Sequence, residues 1–464
     1  MKREDLHITQ EYALQCFENG DNIFLTGPGG TGKSSLIRLM LDSSAINNKK
    51  VQVCAMTGCA AILLNCHATT LHSWSGIKIP KGKICEIVTN IQNNRKICKT
   101  WRTTDTLILD EVSMLSAKLL ELLNTIAKTI RKNDKPFGGM QVVFSGDFFQ
   151  LPPIFTQQND GDEVGSDRFC FESPIWNELF PWENHIELTQ LFRQKDPQYK
   201  KVLNNIRKGI IDKEDLQLLN GRLHKEYKPE EHNFVVPTKL FATKARVEQI
   251  NKKEFELLTT PCYEYHIIQT NNYSSNDSHT SLSFLPQQNT KLSKTKEEME
   301  FRYLLENSPI EKILYLKVGA NVMCTVNLDI DNGICNGALG KICDFVQNGD
   351  SNSPPSPVVL FENGIRKVFS CKYWQSEEYP NIAIGQIPLK LAWAMTIHKS
   401  QGATLPMGEI DIGNTIFECG QTYVALSRIQ SLDGLYLCAF NPQKIRINKK
   451  VQDFYNKIPQ YDYE

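Results

Sequence analysis

Gly27-Pro28-Gly29-Gly30-Thr31-Gly32-Lys33-Ser34 decides how the rest of this chain is read. An apolar run, Ile23-Phe24-Leu25, precedes it, and Leu36-Ile37-Arg38-Leu39-Met40, which reads as a helix, follows. The spacing fits G-x-x-x-x-G-K-[ST] set between a strand and a helix. Glycines let such a loop curl so that its N–H groups point inward at phosphates. The positive end of the following helix dipole adds to that pull. In this pattern Lys33 reaches the β- and γ-phosphates, and Ser34 holds Mg²⁺. A glycine-rich turn with an exposed lysine is the bland alternative, and the strand and helix flanks argue against it. The loop is read as a nucleotide site, with ATP and Mg²⁺ as the expected cofactors.

The neighbouring segments repeat the same grammar. Val51-Gln52-Val53-Cys54-Ala55 reads as a second strand, ending in the small residues Thr57-Gly58-Cys59-Ala60-Ala61. Leu107-Ile108-Leu109-Asp110-Glu111 reads as a buried strand ending in two carboxylates, and Val142-Val143-Phe144-Ser145-Gly146-Asp147 as another strand ending in a polar loop. Between them, Leu115, Leu119, Leu120, Leu123 and Ile126 have helical spacing. Strands alternating with helices predict a parallel α/β sheet, whose ligands sit at the carboxyl ends of the strands. The polar residues fall at those ends. Asp110 is placed to hold Mg²⁺ and Glu111 to polarise the attacking water.

Other candidates are weaker when taken singly. In Ser145-Gly146-Asp147-Phe148-Phe149-Gln150-Leu151-Pro152-Pro153, Gln150 suits a γ-phosphate sensor, although a proline-ended turn is the plain alternative. Arg193 in Leu191-Phe192-Arg193-Gln194 and Arg428 in Val424-Ala425-Leu426-Ser427-Arg428 suit arginines that stabilise charge on a transferring phosphoryl group. Each is otherwise a surface ion-pair partner. Thr396-Ile397-His398-Lys399-Ser400-Gln401-Gly402 is a polar loop suited to phosphate or sugar contacts. His72 and Trp74 offer stacking surfaces for bases. Core packing explains Trp74 equally well at this level.

Bulk properties set wider limits. At 464 residues the chain exceeds one growing core, so at least two domains are expected. The formal net charge of zero neither calls for nor excludes a nucleic-acid partner, since a local basic groove survives a neutral total. No apolar run approaches the roughly 18–20 residues that span a membrane. Met1-Lys2-Arg3-Glu4-Asp5 has no signal-peptide core, and no transit-like segment precedes the loop. A soluble, intracellular protein is expected, with nucleus, mitochondrion and cytoplasm left open. The 14 cysteines contain no Cys-x-x-Cys pair, which fits free thiols in a reducing compartment. Their densest group, Cys54, Cys59, Cys66, His67 and His72, matches no common zinc spacing, and small buried thiols are the simpler reading.

A second region begins near residue 186. Lys239-Leu240-Phe241-Ala242 and Lys390-Leu391-Ala392-Trp393-Ala394 are its expected buried segments. Residues 270–290 read as a mobile loop, followed by a charged helix from about Lys294 to Asn307. Turn signals at Asn336-Gly337, Pro354-Pro355 and Asn363-Gly364 between short β-like runs predict a small β-barrel insertion over 335–388.

Taken in order, these motifs resemble the superfamily-one DNA helicases of the petite-integration-frequency type, relatives of the RecD helicases. The resemblance is carried by Gly27–Ser34, by Thr57-Gly58-Cys59-Ala60-Ala61 and by Thr70-Leu71-His72-Ser73-Trp74. It continues through Leu109-Asp110-Glu111-Val112-Ser113-Met114-Leu115, Lys135-Pro136-Phe137-Gly138-Gly139 and Gly146-Asp147-Phe148-Phe149-Gln150-Leu151-Pro152-Pro153. Leu191-Phe192-Arg193-Gln194, Leu316-Lys317-Val318-Gly319-Ala320-Asn321-Val322-Met323 and Asn336-Gly337-Ala338-Leu339-Gly340 follow. Thr396-Ile397-His398-Lys399-Ser400-Gln401-Gly402 and Tyr423-Val424-Ala425-Leu426-Ser427-Arg428 close a set that spans nearly the whole chain.

The resemblance implies an α/β fold of two RecA-like parallel-sheet domains. The first would cover 1–185, with a small wedge insertion at about 77–103. The second would cover 186–464, with a variable polar insertion at 270–308 and an SH3-like β-barrel insertion at 335–388. It implies that Gln10 reads adenine, that Gly27, Gly29, Gly30, Thr31, Gly32, Lys33, Ser34, Ser35 and Gly402 line the nucleotide, and that Ser34 and Asp110 hold the metal. Lys33, Asp110, Glu111, Gln150, Arg193 and Arg428 would carry catalysis, and Thr57, His72, Trp74, His398, Lys399 and Ser400 would contact DNA. The implied partners are single-stranded DNA and its junctions with duplex, travelled 5′ to 3′, with G-quadruplexes and DNA–RNA hybrids as further substrates. A monomer is expected, with no membrane partner. The sequence departs from the family near Cys59 and at Met323-Cys324-Thr325, neither of which touches the chemistry, and in lacking its long N-terminal extensions, so the resemblance carries over no targeting or partner function seated in them. Residues 270–308 match nothing specific. A translocase that remodels nucleoprotein without unwinding, an RNA substrate, and a nucleic-acid-binding platform with a decayed ATPase stay open as alternatives.

Overall fold

The computed structural model describes residues 3–459 except 47, 65, 67, 78–83, 154–167, 229–236, 274–292, 309, 327, 330, 331, 333, 335, 336, 348–353, 362, 377 and 378. The apolar runs of the N-terminal half pair into one sheet. Its strands are β1 (Ile23–Thr26), β2 (Val51–Ala55), β3 (Thr69–Thr70), β4 (Thr106–Asp110), β5 (Gln141–Ser145) and β6 (His185–Glu187). They lie in the order β3-β2-β4-β5-β1-β6, and every neighbouring pair is parallel. β1 and β4 are buried along their whole length, which is why they read as continuous apolar runs rather than alternating ones.

Successive side chains still point to opposite faces. Phe24, Cys54, Leu107, Leu109, Val142 and Phe144 enter one core cluster, with the helix Ala117–Arg131 and the aromatics Trp101 and Trp176. Ile23, Leu25, Val53, Ala55, Ile108 and Val143 enter the other, with helices α1 (Ile8–Asn19) and α2 (Lys33–Ile46). The register pairs Leu25 with Ser145 and Ala55 with Asp110. The phosphate loop after β1, the carboxylates after β4 and the polar turn after β5 therefore leave the sheet at one edge, the position a parallel sheet offers to ligands.

A second sheet takes the strands Ala394–Thr396, Thr238–Phe241, Gly408–Ile412 and Leu435–Phe440 in that order. The last three pair in parallel. The α/β class with a RecA-like parallel core is thus the one observed. β6 belongs to the first sheet, so the passage toward the second falls after Glu187.

By compactness the chain divides into 1–247 with 395–464, which holds both parallel sheets, and 248–394. In the latter, Arg366–Val368, Ser356–Phe361, Leu339–Val346, Asn321–Cys324 and Leu389–Leu391 form an antiparallel sheet. Its core gathers Leu316, Val322, Ile342, Val359, Phe361 and Leu389. The sheet recruits strands on both sides of 335–388, so the small β-unit is wider than its turn signals mark. The charged helix occupies Lys294–Asn307.

The region at about 77–103 contains the helices Ile84–Asn93 and Arg95–Thr103, the second inserting Trp101 and Cys98 into the core. Of the loop expected over 270–290, residues 274–290 lie outside the described residues, as do His67 and Asn336. Among the described residues, no helix is long and apolar enough to cross a membrane.

Candidate active site

The phosphate loop is shaped by contacts that tolerate no side chain at two of its glycines. Gly27 has φ +132°, and a Cβ there would lie 2.2 Å from the Leu188 carbonyl oxygen. Gly30, at φ +92°, would press a Cβ to 2.6 Å from that of Arg193. Inside the curl, the Thr31 hydroxyl donates to the Pro28 carbonyl at 3.0 Å. The Gln10 carboxamide donates to the Thr31 carbonyl at 3.2 Å and accepts the His7 N–H at 3.1 Å, so it joins the cap of α1 to the loop. The Lys33 ammonium donates to the Gly27 and Pro28 carbonyls at 2.6 and 2.9 Å. Burial pushes its pKa down, while Asp147, Glu111 and Asp110 work to keep it charged. Ser35, one residue beyond Ser34, accepts from Arg38 at 3.5 Å.

The carboxylates stand opposite. Asp110 accepts from the Ser145 hydroxyl at 2.7 Å through one oxygen and from the Ser34 hydroxyl at 3.5 Å through the other. Burial, and then the neighbouring Glu111, push its pKa up to about 6. Glu111 has left-handed backbone (φ 55°), a conformation that costs a non-glycine residue energy and clusters at functional sites. Its carboxylate accepts the Gln401 carboxamide N–H at 2.9 Å. The oxygen of that carboxamide is buried without a hydrogen-bond partner among the described residues.

Two guanidinium groups close on the loop from outside the first sheet. A Cβ placed on Gly29 would lie 3.5 Å from Arg428 Nη2 and 3.7 Å from Arg193 Nη1. Arg428, 1 % exposed, donates to the Val424 carbonyl at 3.0 Å, the Ser427 hydroxyl at 3.0 Å and Gln150 Oε1 at 3.4 Å. Arg193 donates to the Ser427 carbonyl at 3.1 Å, and burial followed by repulsion from Arg428 lowers its pKa to about 10. Burial also lowers the pKa of Arg428. Two buried cations, one of them depressed further by the other, beside a ring of N–H groups make a place where a polyanion relieves an existing penalty.

Several residues escaped the sequence reading. The Tyr423 hydroxyl accepts the Gly29 N–H at 3.0 Å, from the same helix that presents Arg428. Asp147, fully buried, accepts from Arg207 Nη2 at 2.9 Å and Nε at 3.1 Å, and Arg207 Nη1 reaches Glu187 at 3.0 Å. Burial is the largest single influence on Arg207 and opposes its charge, but Asp147, Tyr455, Glu187 and Tyr423 together outweigh it and raise the pKa. Gln401, Asp147 and Tyr423 lie inside quoted motifs and were findable there. Arg207 carries no local signal, because its partner is distant in sequence.

The residues assigned to DNA are placed unevenly. His398 is half-buried, stacked on the exposed ring of Phe417 with centroids 6.1 Å apart, and Lys399 is exposed. His72 and Thr57 are half-buried, and burial lowers the His72 pKa. Trp74 is buried against Trp101 with centroids 4.4 Å apart, so core packing is the role its geometry supports. Ser400 is fully buried, its hydroxyl donating to the Ile397 carbonyl at 2.8 Å, which leaves it no face toward a nucleic acid here. Gly402 turns the chain beyond it at φ +83°. In the Cys54 group, burial pushes the Cys54 thiol up to about 12, while the Cys59 side chain and His67 lie outside the described residues.

Comparison with known proteins agrees with this architecture. Residues 5–217 match the family model described as PIF1-like helicase, and residues 302–345 match the one described as DNA helicase Pif1, 2B domain. The ATP-dependent DNA helicase PIF1 of Danio rerio is 33 % identical over 460 residues, covering 98 % of this chain but 64 % of that protein. The chain thus spans somewhat under two thirds of that relative's length. The crystal structure of Pif1 helicase from Candida albicans superposes with a TM-score of 0.80 at 34 % identity, covering 98 % of this chain and 99 % of that one. Pif1 helicase from Bacteroides in complex with ADP-AlF3 and ssDNA superposes with a TM-score of 0.67 at 27 % identity, covering 97 % and 96 %. With the phosphate loop, the paired carboxylates and the two arginines in one cleft and likeness to a solved relative over 98 % of this chain, the chain belongs to the PIF1-like helicase family.

Proposed function

We propose that this chain is an ATP-driven DNA helicase that moves 5′ to 3′ on single-stranded DNA and opens duplex and structured DNA. The observation that carries the reading is the approach of Arg193 and Arg428 to Gly29 of the phosphate loop, opposite Lys33, Asp110 and Glu111. Both arginines come from beyond the first sheet, so a nucleotide held by Lys33 ties two parts of the motor together. Hydrolysis releases that tie, and repeated closure and release moves the strand. Solved relatives support the substrates, since the Bacteroides protein was crystallised with ADP-AlF3 and ssDNA. G-quadruplexes and DNA–RNA hybrids extend the reading on family grounds alone.

Within the site, Lys33, Arg193 and Arg428 hold the charge on the transferring phosphoryl group. Glu111, oriented by Gln401, holds the attacking water and takes its proton. Gln150, hydrogen-bonded to Arg428, reports the γ-phosphate to the turn after β5. The hydroxyl of Ser34 and the carboxylate of Asp110 are hard oxygen donors side by side, which fits Mg²⁺. When bound, Mg²⁺ supplies charge neutralisation on the phosphates.

Because Asp110 titrates at about 6, protons compete with the metal below that pH. The free Mg²⁺ needed for half-maximal ATP hydrolysis should rise about fourfold between pH 7.5 and 5.5, from simple competition for one carboxylate. An unchanged Mg²⁺ requirement would contradict the role given to Asp110. The reading as a whole is tested by strand separation on 5′-tailed, 3′-tailed and forked duplexes with ATP. Opening of 5′-tailed and forked substrates alone is expected. Hydrolysis without opening would make the protein a translocase or remodeller instead.

A further inference from the structure

The C-terminal helix Lys449–Tyr455 follows the last strand of the second sheet, yet it packs into the core of the first. Val451, Phe454 and Ile458 are buried there with Phe24, Phe148 and Trp176. The Phe454 ring stacks on Phe171 at 4.4 Å and meets Phe24 edge-on at 5.9 Å. This anchoring delivers the next residue, Tyr455, to the nucleotide site's floor.

There the Tyr455 hydroxyl lies 2.5 Å from Thr26 Oγ1, accepts the Phe148 N–H at 3.1 Å, and lies 3.3 Å from Asp147 Oδ1. Its ring packs 4.5 Å from Phe149, with the Arg207 guanidinium 5.2 Å away over its face. Thr26 is the residue immediately before Gly27. Phe148 and Phe149 are the residues immediately before Gln150. One hydroxyl therefore joins the start of the phosphate loop to the base of the turn that carries Gln150, whose carboxamide in turn meets Arg428.

We propose that Tyr455 is a positioning residue for ATP hydrolysis: its hydroxyl fixes the spacing between the phosphate loop and the Gln150 turn. The inference rests on the ATPase reading above. It adds that the C-terminal helix is part of the catalytic support rather than a packing appendage. Misplacement of a reacting group by about 1 Å costs on the order of 10²-fold in rate, so loosening this one joint is felt in turnover rather than in binding.

The test compares Tyr455→Phe, which keeps the ring and removes only the hydroxyl, with Ile126→Val, which thins the same core from the helix Ala117–Arg131 without touching the Tyr455 anchor. DNA-stimulated kcat for ATP should fall about tenfold in Tyr455→Phe, with KM for ATP within about twofold, as expected for a group acting on positioning rather than on ground-state binding. Ile126→Val should lower the melting temperature but hold kcat near wild type. Wild-type kcat in Tyr455→Phe, or an equal loss in both variants, would overturn the proposal while leaving the ATPase reading intact. Absence of ATP turnover in the wild-type protein would overturn both.

Discussion

Lys33→Ala is expected to reduce ATP hydrolysis on the order of 10³-fold while leaving single-stranded DNA binding in place. The Lys33 ammonium is held over its own loop by the Gly27 and Pro28 carbonyls, inside the curl where the phosphates are expected. Among the described residues, no other cation donates to those two carbonyls. Arg193 and Arg428 approach Gly29 from the other side, and their hydrogen bonds go to the helix Gln421–Ser427 and its surroundings. The loss is therefore of charge that nothing nearby replaces. The fold should survive, since Lys33 begins α2 and alanine is at least as good a helix former there. Phosphate release measured beside DNA affinity checks the claim. Wild-type turnover in the variant would remove Lys33 from the site.

Arg428→Lys is the second large effect, with kcat expected to fall by about 10³–10⁵-fold, the range seen when an arginine finger is lost. Lysine keeps a positive charge but not the planar fork that spans Val424, Ser427 and Gln150 at once. The milder substitution is chosen because alanine would strand several buried acceptors and confuse a catalytic loss with an unfolding one. Single-turnover hydrolysis with ATP saturating isolates the chemical step. If Arg428→Lys hydrolyses ATP as fast as wild type, the positive charge alone suffices and the finger assignment fails. Arg193 is expected to matter through the same phosphoryl charge, since the two guanidinium groups already repel one another.

The parts of the site that were readable in sequence are those built from contiguous residues. A phosphate loop needs its glycines and lysine at fixed offsets, so Gly27 to Ser34 announce themselves. Asp110 and Glu111 are readable because a buried strand leaves an uninterrupted apolar run before them. The alternate entry of Phe24 and Ile23 into opposite cores follows from strand geometry and is invisible as a period only because both faces are covered. What stayed hidden depends on distant partners. Tyr455 and Arg207 carry no motif, and their meaning appears only when Asp147 is seen between them. Ser400 and Trp74 are polar-capable residues in motif-rich segments, and only burial separates a ligand contact from a backbone prop or a core ring. The small β-unit was underdrawn for a similar reason. Its strands Asn321–Cys324 and Leu389–Leu391 lie outside the turn-rich stretch and join it by pairing across the sheet.

ATP hydrolysis by the purified wild-type chain, measured with and without single-stranded DNA, tests the central claim most directly. Turnover should rise when DNA is added, and the gain should weaken steeply with salt, as phosphate contacts on a single strand release counterions. Hydrolysis that ignores DNA, or no hydrolysis at all, would contradict a DNA-driven motor built on this cleft.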